Sequence, residues 1–244
     1  MPVALSQTGL IADTWLAGCL GRDVYRLPAK PLDGPGALDN VRELCCGVAR
    51  GSMVYARVPV GDVPTVGALQ GLTFRLVDTN VTLERPLLER CEPGSGAIRP
   101  ARPSDESQVV ALARTSFTHS RFHQDPAIGA DRADRLKGEW VANFFRGRRG
   151  DAMVVALEGD RIIGFLLALA ADDDAVVIDL VAVDESCRGR RIAGALTQAA
   201  QLHWPEATGL RVGTQLANVA ALGAYQGLGF AVTSAAYVLH FHRR

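Results

Sequence analysis

The spacing of hydrophobic residues is clearest from residue 97 onward and predicts a regular series of elements. AIRPA (97–101) is short and apolar between prolines, which predicts a strand. Apolar positions recur at helical spacing in SDESQVVALART (104–115) and DRADRLKGEWVANFFRG (131–147), so two helices are expected. The intervening segment, 116–130, has no regular spacing and is predicted to be irregular.

The pattern then changes to that of strands. A hairpin is predicted over 151–170, and AVVIDLVAV (175–183) is apolar except for Asp179, which is typical of a central strand. The remaining elements are a helix after the arginine-rich segment 184–191, a strand over 209–216, a helix over 218–229 and a last strand over 235–243. The order β-α-α-β-β-β-α-β-α-β predicts an α/β fold with a mixed, mostly antiparallel sheet flanked by helices.

An internal repeat links the two ends of the chain. VPTVGALQGLTF (63–74) aligns without a gap on VAALGAYQGLGF (219–230), with seven identical positions of twelve. Leu69 in the first copy stands where the second has Tyr225. The first copy thus keeps the hydrophobic pattern without the polar chemistry, which predicts a structural element or a wall of a substrate pocket. Two unrelated amphipathic helices are the alternative explanation.

A break in composition divides the chain. The segment 91–107 is rich in proline, glycine and serine, and 244 residues suit one large domain or two small ones. We expect a truncated N-terminal domain over 1–95 and a larger domain over 96–244. Within the first, LIADTWLAGCL (10–20) is predicted to be a core helix or a helix-like segment.

Composition and charge exclude several classes of function. Twenty-six basic residues balance twenty-six acidic ones, so no overall field favours nucleic acid or an anionic membrane. The five cysteines are odd in number and show no C-x-x-C spacing, which argues against a disulfide framework or a zinc site. No apolar run has membrane-spanning length. A cytoplasmic protein is therefore predicted.

An arginine-rich turn carries the most specific chemistry. DESCRGRRIAGAL (184–196) places three arginines around one glycine at the start of a predicted helix, where cations oppose the helix dipole. That placement favours a bound anion, because free backbone N–H groups meet there and small residues let a ligand approach. A solvated basic face is the alternative. The predicted site comprises Arg188, Gly189, Arg190, Arg191, Ile192, Ala193 and Gly194.

This turn resembles the pyrophosphate-binding segment of the GNAT superfamily of acyl-CoA N-acyltransferases. The family pattern Q/R-x-x-G-x-G/A is met by Arg188 and Ala193, whereas Arg191 stands where the family usually has glycine. A second family block, N-x-x-A-x-x-x-Y-x-x-x-G-F, is matched by Asn218, Ala221, Tyr225, Gly229 and Phe230. The resemblance covers about 97–244 and implies a GNAT fold with acetyl-CoA as the acyl donor. Together with the repeat, it implies that the N-terminal domain over 1–95 is a degenerate, truncated half of the same fold.

A narrower resemblance concerns the acceptor. FTHSRFHQDP (117–126), WVANFFRG (140–147) and TQLANVAALGAYQGLGF (214–230) resemble the dTDP-fucosamine acetyltransferases, which N-acylate nucleotide-linked amino sugars and also carry a truncated N-terminal region. This implies a dTDP-linked amino-dideoxy sugar as the acceptor. Another small amine (an aminoglycoside, a polyamine or an amino acid) and a non-catalytic acyl-CoA-binding protein are the alternatives.

The resemblance also implies roles for residues on the donor side. Backbone N–H groups of Val181, Ala182 and Val183 would bond the pantetheine arm and the thioester oxygen, while Asn218 and Ala221 would face that arm. Tyr225 lies two helical turns after Asn218 and would protonate the leaving thiolate as general acid. The alternatives are that Asn218 only caps its helix and that Tyr225 only packs its ring.

The base and the acceptor site are less sharply defined. Asp179 and His119 are the candidate bases, with His123 or a chain of waters as alternatives. Ser120, Arg121 and His123 are the candidate substrate-binding residues. Arg121 would hold a phosphate of the acceptor, or pair with Asp125.

Two further expectations concern partners. His119 and His123 are four residues apart but have no third ligand, so no metal is predicted. The last strand is a candidate free edge that would pair subunits as a homodimer, or would pair with the N-terminal half.

Overall fold

The computed structural model describes residues 9–28, 36–87 and 97–244. These residues form the strands β1 (Ile11–Ala12), β2 (Val24–Arg26), β3 (Met53–Pro59), β4 (Arg75–Pro86), β5 (Ala97–Pro100), β6 (Ala152–Glu158), β7 (Arg161–Ala170), β8 (Ala175–Val183), β9 (Gly209–Gln215) and β10 (Ala231–His242). They also form the helices α1 (Thr14–Leu20), α2 (Ala37–Gly47), α3 (Val63–Gly71), α4 (Glu106–Ser116), α5 (Ala130–Phe145), α6 (Ile192–Gln201) and α7 (Val219–Gly227). Among these helices, none combines the length and the apolar character needed to span a bilayer.

All ten strands join one sheet in the order β1-β2-β3-β10-β4-β9-β8-β7-β6-β5. The predicted α/β class, with a mixed sheet flanked by helices, is confirmed. The last strand, β10, lies inside the sheet between β3 and β4. It therefore pairs with the N-terminal half, and it offers no free edge to a second subunit.

The two copies of the repeat exchange their last strands. The first copy is β3-α3-β4 and the second is β9-α7-β10. Each copy would form a separate unit if its own two strands paired, β4 with β3 and β10 with β9. Instead β10 pairs with β3, and β4 pairs with β9. Ala236 lies opposite Pro59 in one pairing and Asn80 lies opposite Gln215 in the other, so both registers keep the offset that aligns the two copies.

Side chains of the central strands pack on both faces of the sheet, which explains their continuous apolar sequence. On β6, Met153 and Val155 pack in the cluster with α4 and α5, whereas Val154 and Ala156 pack in the cluster with α6 and α7. The pairing of β8 with β7 shifts between Ile178 and Leu180, which leaves an extra residue there. A bulge of this kind switches which face the following side chains meet.

The elements predicted from residue 97 onward are present, with ends that differ by a few residues. The last strand begins at Ala231 rather than at 235. Upstream, the helix predicted over 10–20 begins only at Thr14, because Asp13 caps it through the N–H of Leu16 at 3.0 Å. The division of the chain at residue 95 stays a prediction, and the first part of the expected linker, 91–96, lies outside the described residues.

Candidate active site

A gap opens in the sheet between β8 and β9. These strands pair in parallel only from Ala175 and Gly209 to Ile178 and Val212. β8 then continues along β7 to Val183, so the segment 181–183 has no strand on its other side. Backbone donors that face a gap need another partner. The predicted donors of Val181, Ala182 and Val183 lie along this segment, and those that point away from β7 face the gap.

The arginine-rich turn leads directly from this strand into α6. Asp184 stabilises the turn by accepting the N–H of Ser186 at 3.0 Å, and Gly189 has a positive φ of 80°. Arg191 caps α6 in the left-handed conformation without a side-chain cap bond. The N–H groups in the first turn of a helix have no partner within it. The turn therefore presents backbone donors at the positive end of the helix dipole.

The backbone at Arg191 explains why glycine is usual there. Its φ of 59° is uncommon for a residue with a Cβ and destabilises the turn by about 1 kcal/mol. Gly194 has a different constraint, since a Cβ there would lie 2.9 Å from Leu228 Cδ2. A larger residue at this position would therefore displace the Leu228 side chain, which packs α6 against the end of α7.

The arginine side chains surround this turn at the surface. Arg190 donates to Glu158 Oε1 at 3.0 Å and to the carbonyl of Ser186 at 3.3 Å. Arg188 lies 4.0 Å from Glu185. Exposed pairs of this kind contribute little to stability. The arginines are therefore available to an anion at the start of α6.

Helix α7 places two predicted residues near the gap. Asn218 Oδ1 accepts the N–H of Ala221 at 3.2 Å, so Asn218 is an N-cap. Tyr225 is 8% exposed and packs in one cluster with Val181 and Ile192. Burial raises the pKa of Tyr225, and its hydroxyl has no hydrogen-bond partner among the described residues. The phenol thus keeps its proton at neutral pH.

Asp179 occupies the bulge of β8, and both of its carboxylate oxygens accept hydrogen bonds. It accepts hydrogen bonds from Arg149 Nε and Nη2, both at 2.6 Å, and from Trp140 Nε1 at 2.8 Å. A bidentate arginine holds a carboxylate in one orientation. These contacts favour an anchoring role for Asp179 over that of a base.

The irregular segment before α5 separates its predicted residues. His119 is exposed. Ser120 Oγ lies 2.6 Å from His123 Nδ1, and His123 Nε2 lies 2.9 Å from Asp134, so Ser120 and His123 brace the loop. Arg121 instead lies 4.2 Å above the ring of Tyr55, at the junction with β3. It makes no ion pair with any residue in the described ranges, and in particular none with Asp125.

Two charged residues at this junction were missed by sequence reasoning. Asp78 on β4 is half-buried, and burial raises its pKa to about 6. Lys137 on α5 is buried between the rings of Phe117 and Trp140, with its Nζ 4.9 and 4.8 Å from the ring centres. Burial lowers the pKa of Lys137 to about 8. Asp78, Arg121 and Lys137 are close enough for each charge to act on the others.

A group of potential metal ligands lies behind Arg121. Asp125, His240 and His242 have ligand atoms within 4.8 Å of one another. Arg121 Nη1 lies 3.2 Å from His240 Nε2. A metal on Nδ1 of His240 would place a proton on Nε2, facing another donor on the guanidinium. The arrangement therefore favours a hydrogen-bonded chain over a metal centre.

The gap between β8 and β9 is followed along the chain by the arginine-rich turn and then by α7 with its buried tyrosine, which is the arrangement that the resemblance to acyl-CoA N-acyltransferases implies. The Acetyltransferase (GNAT) family model matches residues 110–230. The chain is 33% identical to dTDP-fucosamine acetyltransferase of Escherichia coli O6:H1, over 98% of this chain and 100% of that protein. The chain therefore belongs to the GNAT family of acetyltransferases.

Two other similarities extend this result. The chain is 38% identical to the spore coat polysaccharide biosynthesis protein SpsD of Bacillus subtilis over 77% of its own residues, and it spans 65% of the length of that protein. Among solved structures, a GCN5-related N-acetyltransferase from Sphaerobacter thermophilus superposes with a TM-score of 0.60 at 14% identity, over 91% of this chain and 73% of that one. At that identity the likeness shows the fold.

Proposed function

We propose that the protein transfers an acetyl group from acetyl-CoA to the amino group of a dTDP-linked amino-dideoxy sugar. The observation that carries the proposal is the guanidinium of Arg121, which lies at the junction of the two halves without an ion-pair partner among the described residues. A diphosphate is a ligand that such a group holds well. The similarity to dTDP-fucosamine acetyltransferase along the whole chain supports the same class of acceptor.

The donor side of the site fits acetyl-CoA. The backbone donors in the first turn of α6 suit a pyrophosphate, and the arginines around Gly189 add positive charge. Acetyl-CoA supplies the activated acyl group when it is bound. The N–H groups of 181–183 would polarise the thioester carbonyl, an effect commonly worth about 3 kcal/mol of the barrier.

The reaction needs one proton to leave the amine and one to reach sulfur. The amine nitrogen attacks the carbonyl carbon, the new C–N bond forms, and the C–S bond breaks with the electron pair on sulfur. Tyr225 gives its proton to the thiolate, and solvent returns a proton to Tyr225. Asp78 is the preferred base, because a carboxyl with a pKa of about 6 is ionised at neutral pH and still accepts a proton better than an ordinary aspartate.

The acceptor side combines residues from both halves of the chain. Arg121 and Lys137 bring positive charge to the junction of the two halves, where the diphosphate-linked sugar would bind. Asp78 comes from β4 of the first repeat copy. In this proposal the N-terminal third is a wall of the acceptor pocket rather than a second catalytic unit.

The test is thiol release from acetyl-CoA in the presence of dTDP-linked 4-amino and 3-amino dideoxy sugars, with spermidine, an aminoglycoside and free amino acids in parallel. We expect turnover with at least one dTDP-amino sugar and none with the simple amines at equal concentration. Turnover with simple amines only would remove the sugar assignment and leave the acetyltransferase. Tight binding of acetyl-CoA with no turnover of any acceptor would favour a non-catalytic binding protein.

A further inference from the structure

Arg121 is held in place by an uncharged partner. Its guanidinium carbon lies 4.2 Å from the centre of the Tyr55 ring and 4.5 Å from that of Phe122. Its Nη1 lies 3.2 Å from His240 Nε2. His240 and Tyr55 stand directly opposite each other in the pairing of β10 with β3, so their side chains share one face of the sheet. Arg121 lies across both.

The position of the proton on the His240 ring is fixed by Asp125, which lies on the side of the ring away from Arg121. His240 is fully buried, and its Nδ1 lies 2.6 Å from Asp125 Oδ2. The same oxygen lies 2.8 Å from His242 Nε2, while Asp125 Oδ1 accepts the N–H of Ala127 at 3.0 Å. An ionised carboxylate only accepts hydrogen bonds, so His240 carries its proton on Nδ1. Nε2 is then an acceptor for Arg121.

We propose that His240 is a positioning residue that aims the Arg121 guanidinium at the diphosphate of the nucleotide-linked acceptor, an inference that rests on the proposed function. A carboxylate in the place of His240 would fix Arg121 equally well, but it would neutralise the charge and compete with the diphosphate. A neutral imidazole fixes the direction of one N–H and leaves the full positive charge and the remaining donors for the ligand.

The surrounding contacts support this role. Below Arg121, the Tyr55 hydroxyl donates to Asp13 Oδ2 at 3.0 Å, so the ring on which the guanidinium lies is itself fixed. The strand exchange is what brings these groups together, because His240 belongs to the second repeat copy and Tyr55 to the first. Asp125 belongs to the same loop as Arg121, and its two bonds to β10 tie that loop to the sheet.

The test is a double-mutant cycle on the full-length protein, read as the dissociation constant for dTDP. We expect His240→Phe to weaken dTDP binding about tenfold, the effect of losing one hydrogen bond to a charged group. Arg121→Gln should weaken it at least as much. The double variant should bind no more weakly than Arg121→Gln, because His240 acts only through Arg121. Affinity for acetyl-CoA should not change in any of them.

Two further variants separate positioning from a general effect on the fold. His240→Gln keeps an acceptor at the end of the side chain and should restore binding to within about threefold of the wild type. Leu239→Ala alters the neighbouring, fully buried residue of β10. It should lower the melting temperature and leave dTDP affinity unchanged. Additive losses in the cycle, or equal losses for Leu239→Ala and His240→Phe, would overturn the inference.

The cycle also separates this inference from the proposed function. If dTDP binding shows the coupling but no dTDP-amino sugar is turned over, the proposed reaction fails and the positioning role stands. If turnover occurs but the cycle is additive, the positioning role fails and the reaction stands. A wild-type protein that binds no dTDP would contradict both.

Discussion

The two copies of the repeat share a backbone and differ in the side chains on it. Helices α3 and α7 each begin at a side-chain cap, in which the Oδ1 of Asp62 or of Asn218 accepts a backbone N–H at 3.2 Å. Each copy then passes through a left-handed residue at the same place, Thr73 at φ 67° and Gly229 at φ 83°. Threonine is strained in that conformation. The first copy has therefore kept the path of the chain even where it lost the residue that favours it.

The difference lies in polar groups. Leu69 is fully buried where the second copy has Tyr225, so the packing position is kept and the hydroxyl is gone. Conversely, the first copy has Asp78 where the second has an exposed Ser234. Packing and strand register preserve a fold after its chemistry is lost, because each buried contact is stabilising by itself. Polar groups persist only where a ligand or a network uses them, and we infer that the acceptor pocket uses Asp78.

The largest effects are expected at the equivalent helix positions Tyr225 and Leu69. Substitution should lower catalysis at the first position and stability at the second. Tyr225→Phe should lower kcat about 100-fold, the contribution of a general acid. Its stability should change little, since the hydroxyl has no hydrogen-bond partner in the described structure. Leu69→Ala should leave kcat of the folded protein unchanged and lower the free energy of unfolding by about 3 kcal/mol, because it opens a cavity. Thiol-release kinetics and urea unfolding measure both.

The discriminating result is that each substitution changes one property only, kcat for Tyr225→Phe and stability for Leu69→Ala. A Tyr225→Phe variant with kcat within threefold of the wild type would make Tyr225 a packing residue like Leu69. A fall in kcat for Leu69→Ala at a temperature where the protein remains folded would give the first copy a part in catalysis that we do not assign to it.

A smaller effect is expected at Asp78 and Ser234, which occupy equivalent positions in the two copies. If Asp78 accepts the proton from the amine, kcat/KM for the acceptor should fall as the pH drops through about 6, the pKa of the folded carboxyl. Asp78→Asn should remove that step and lower kcat/KM about 30-fold at pH 7. Ser234→Asn, at the exposed equivalent position, is the control and should leave the profile unchanged.

The contribution of Asp78 to folding stability should depend on pH in the opposite direction to its contribution to activity. The folded protein holds the Asp78 proton more tightly than the unfolded chain, whose pKa is near 3.8, because burial raises the folded pKa. This group therefore favours folding most below about pH 4, and that contribution is lost as the pH rises through 6. Asp78→Asn should be more stable than the wild type by about 1 kcal/mol at pH 7, discounted for partial exposure, and equal to it at pH 4. A variant less stable at pH 7 would refute the assignment.

The sequence was sufficient to predict the elements from residue 97 onward and to suggest donor-side residues, because both depend on short local segments. Periodicity places β6 to β8, and the arginine turn and the tyrosine block each lie within one short segment. The helix predicted over 10–20 begins only at Thr14, because Asp13 caps it and the residues before the cap, Ile11 and Ala12, pair with β2.

The acceptor side depends on contacts between distant segments, and these are not visible in the spacing of residues. Asp78 reaches the junction only because β4 and β10 exchange places, and Lys137 is recognised only by its burial between two aromatic rings. An alternating segment such as LVDTNV gives no signal that one carboxyl is half-buried. Arg121 was proposed as a substrate-binding residue because its segment resembles a known family. Its partner His240 lies in the last strand, where no feature of the sequence distinguishes it.

The smallest expected effect concerns the two helix caps, which are structurally the most alike. Asp62→Ala and Asn218→Ala each remove one bond to the first turn of a helix, so both should lower the free energy of unfolding by about 1 kcal/mol. If Asn218 also faces the donor arm, only Asn218→Ala should raise the KM for acetyl-CoA, by about threefold, the effect of a weak neutral hydrogen bond. Acceptor KM should stay constant in both. Equal KM values for acetyl-CoA in the two variants would show that Asn218 is a cap like Asp62 and nothing more, and the polar difference between the copies would then rest on Tyr225, Asp78 and the arginine turn.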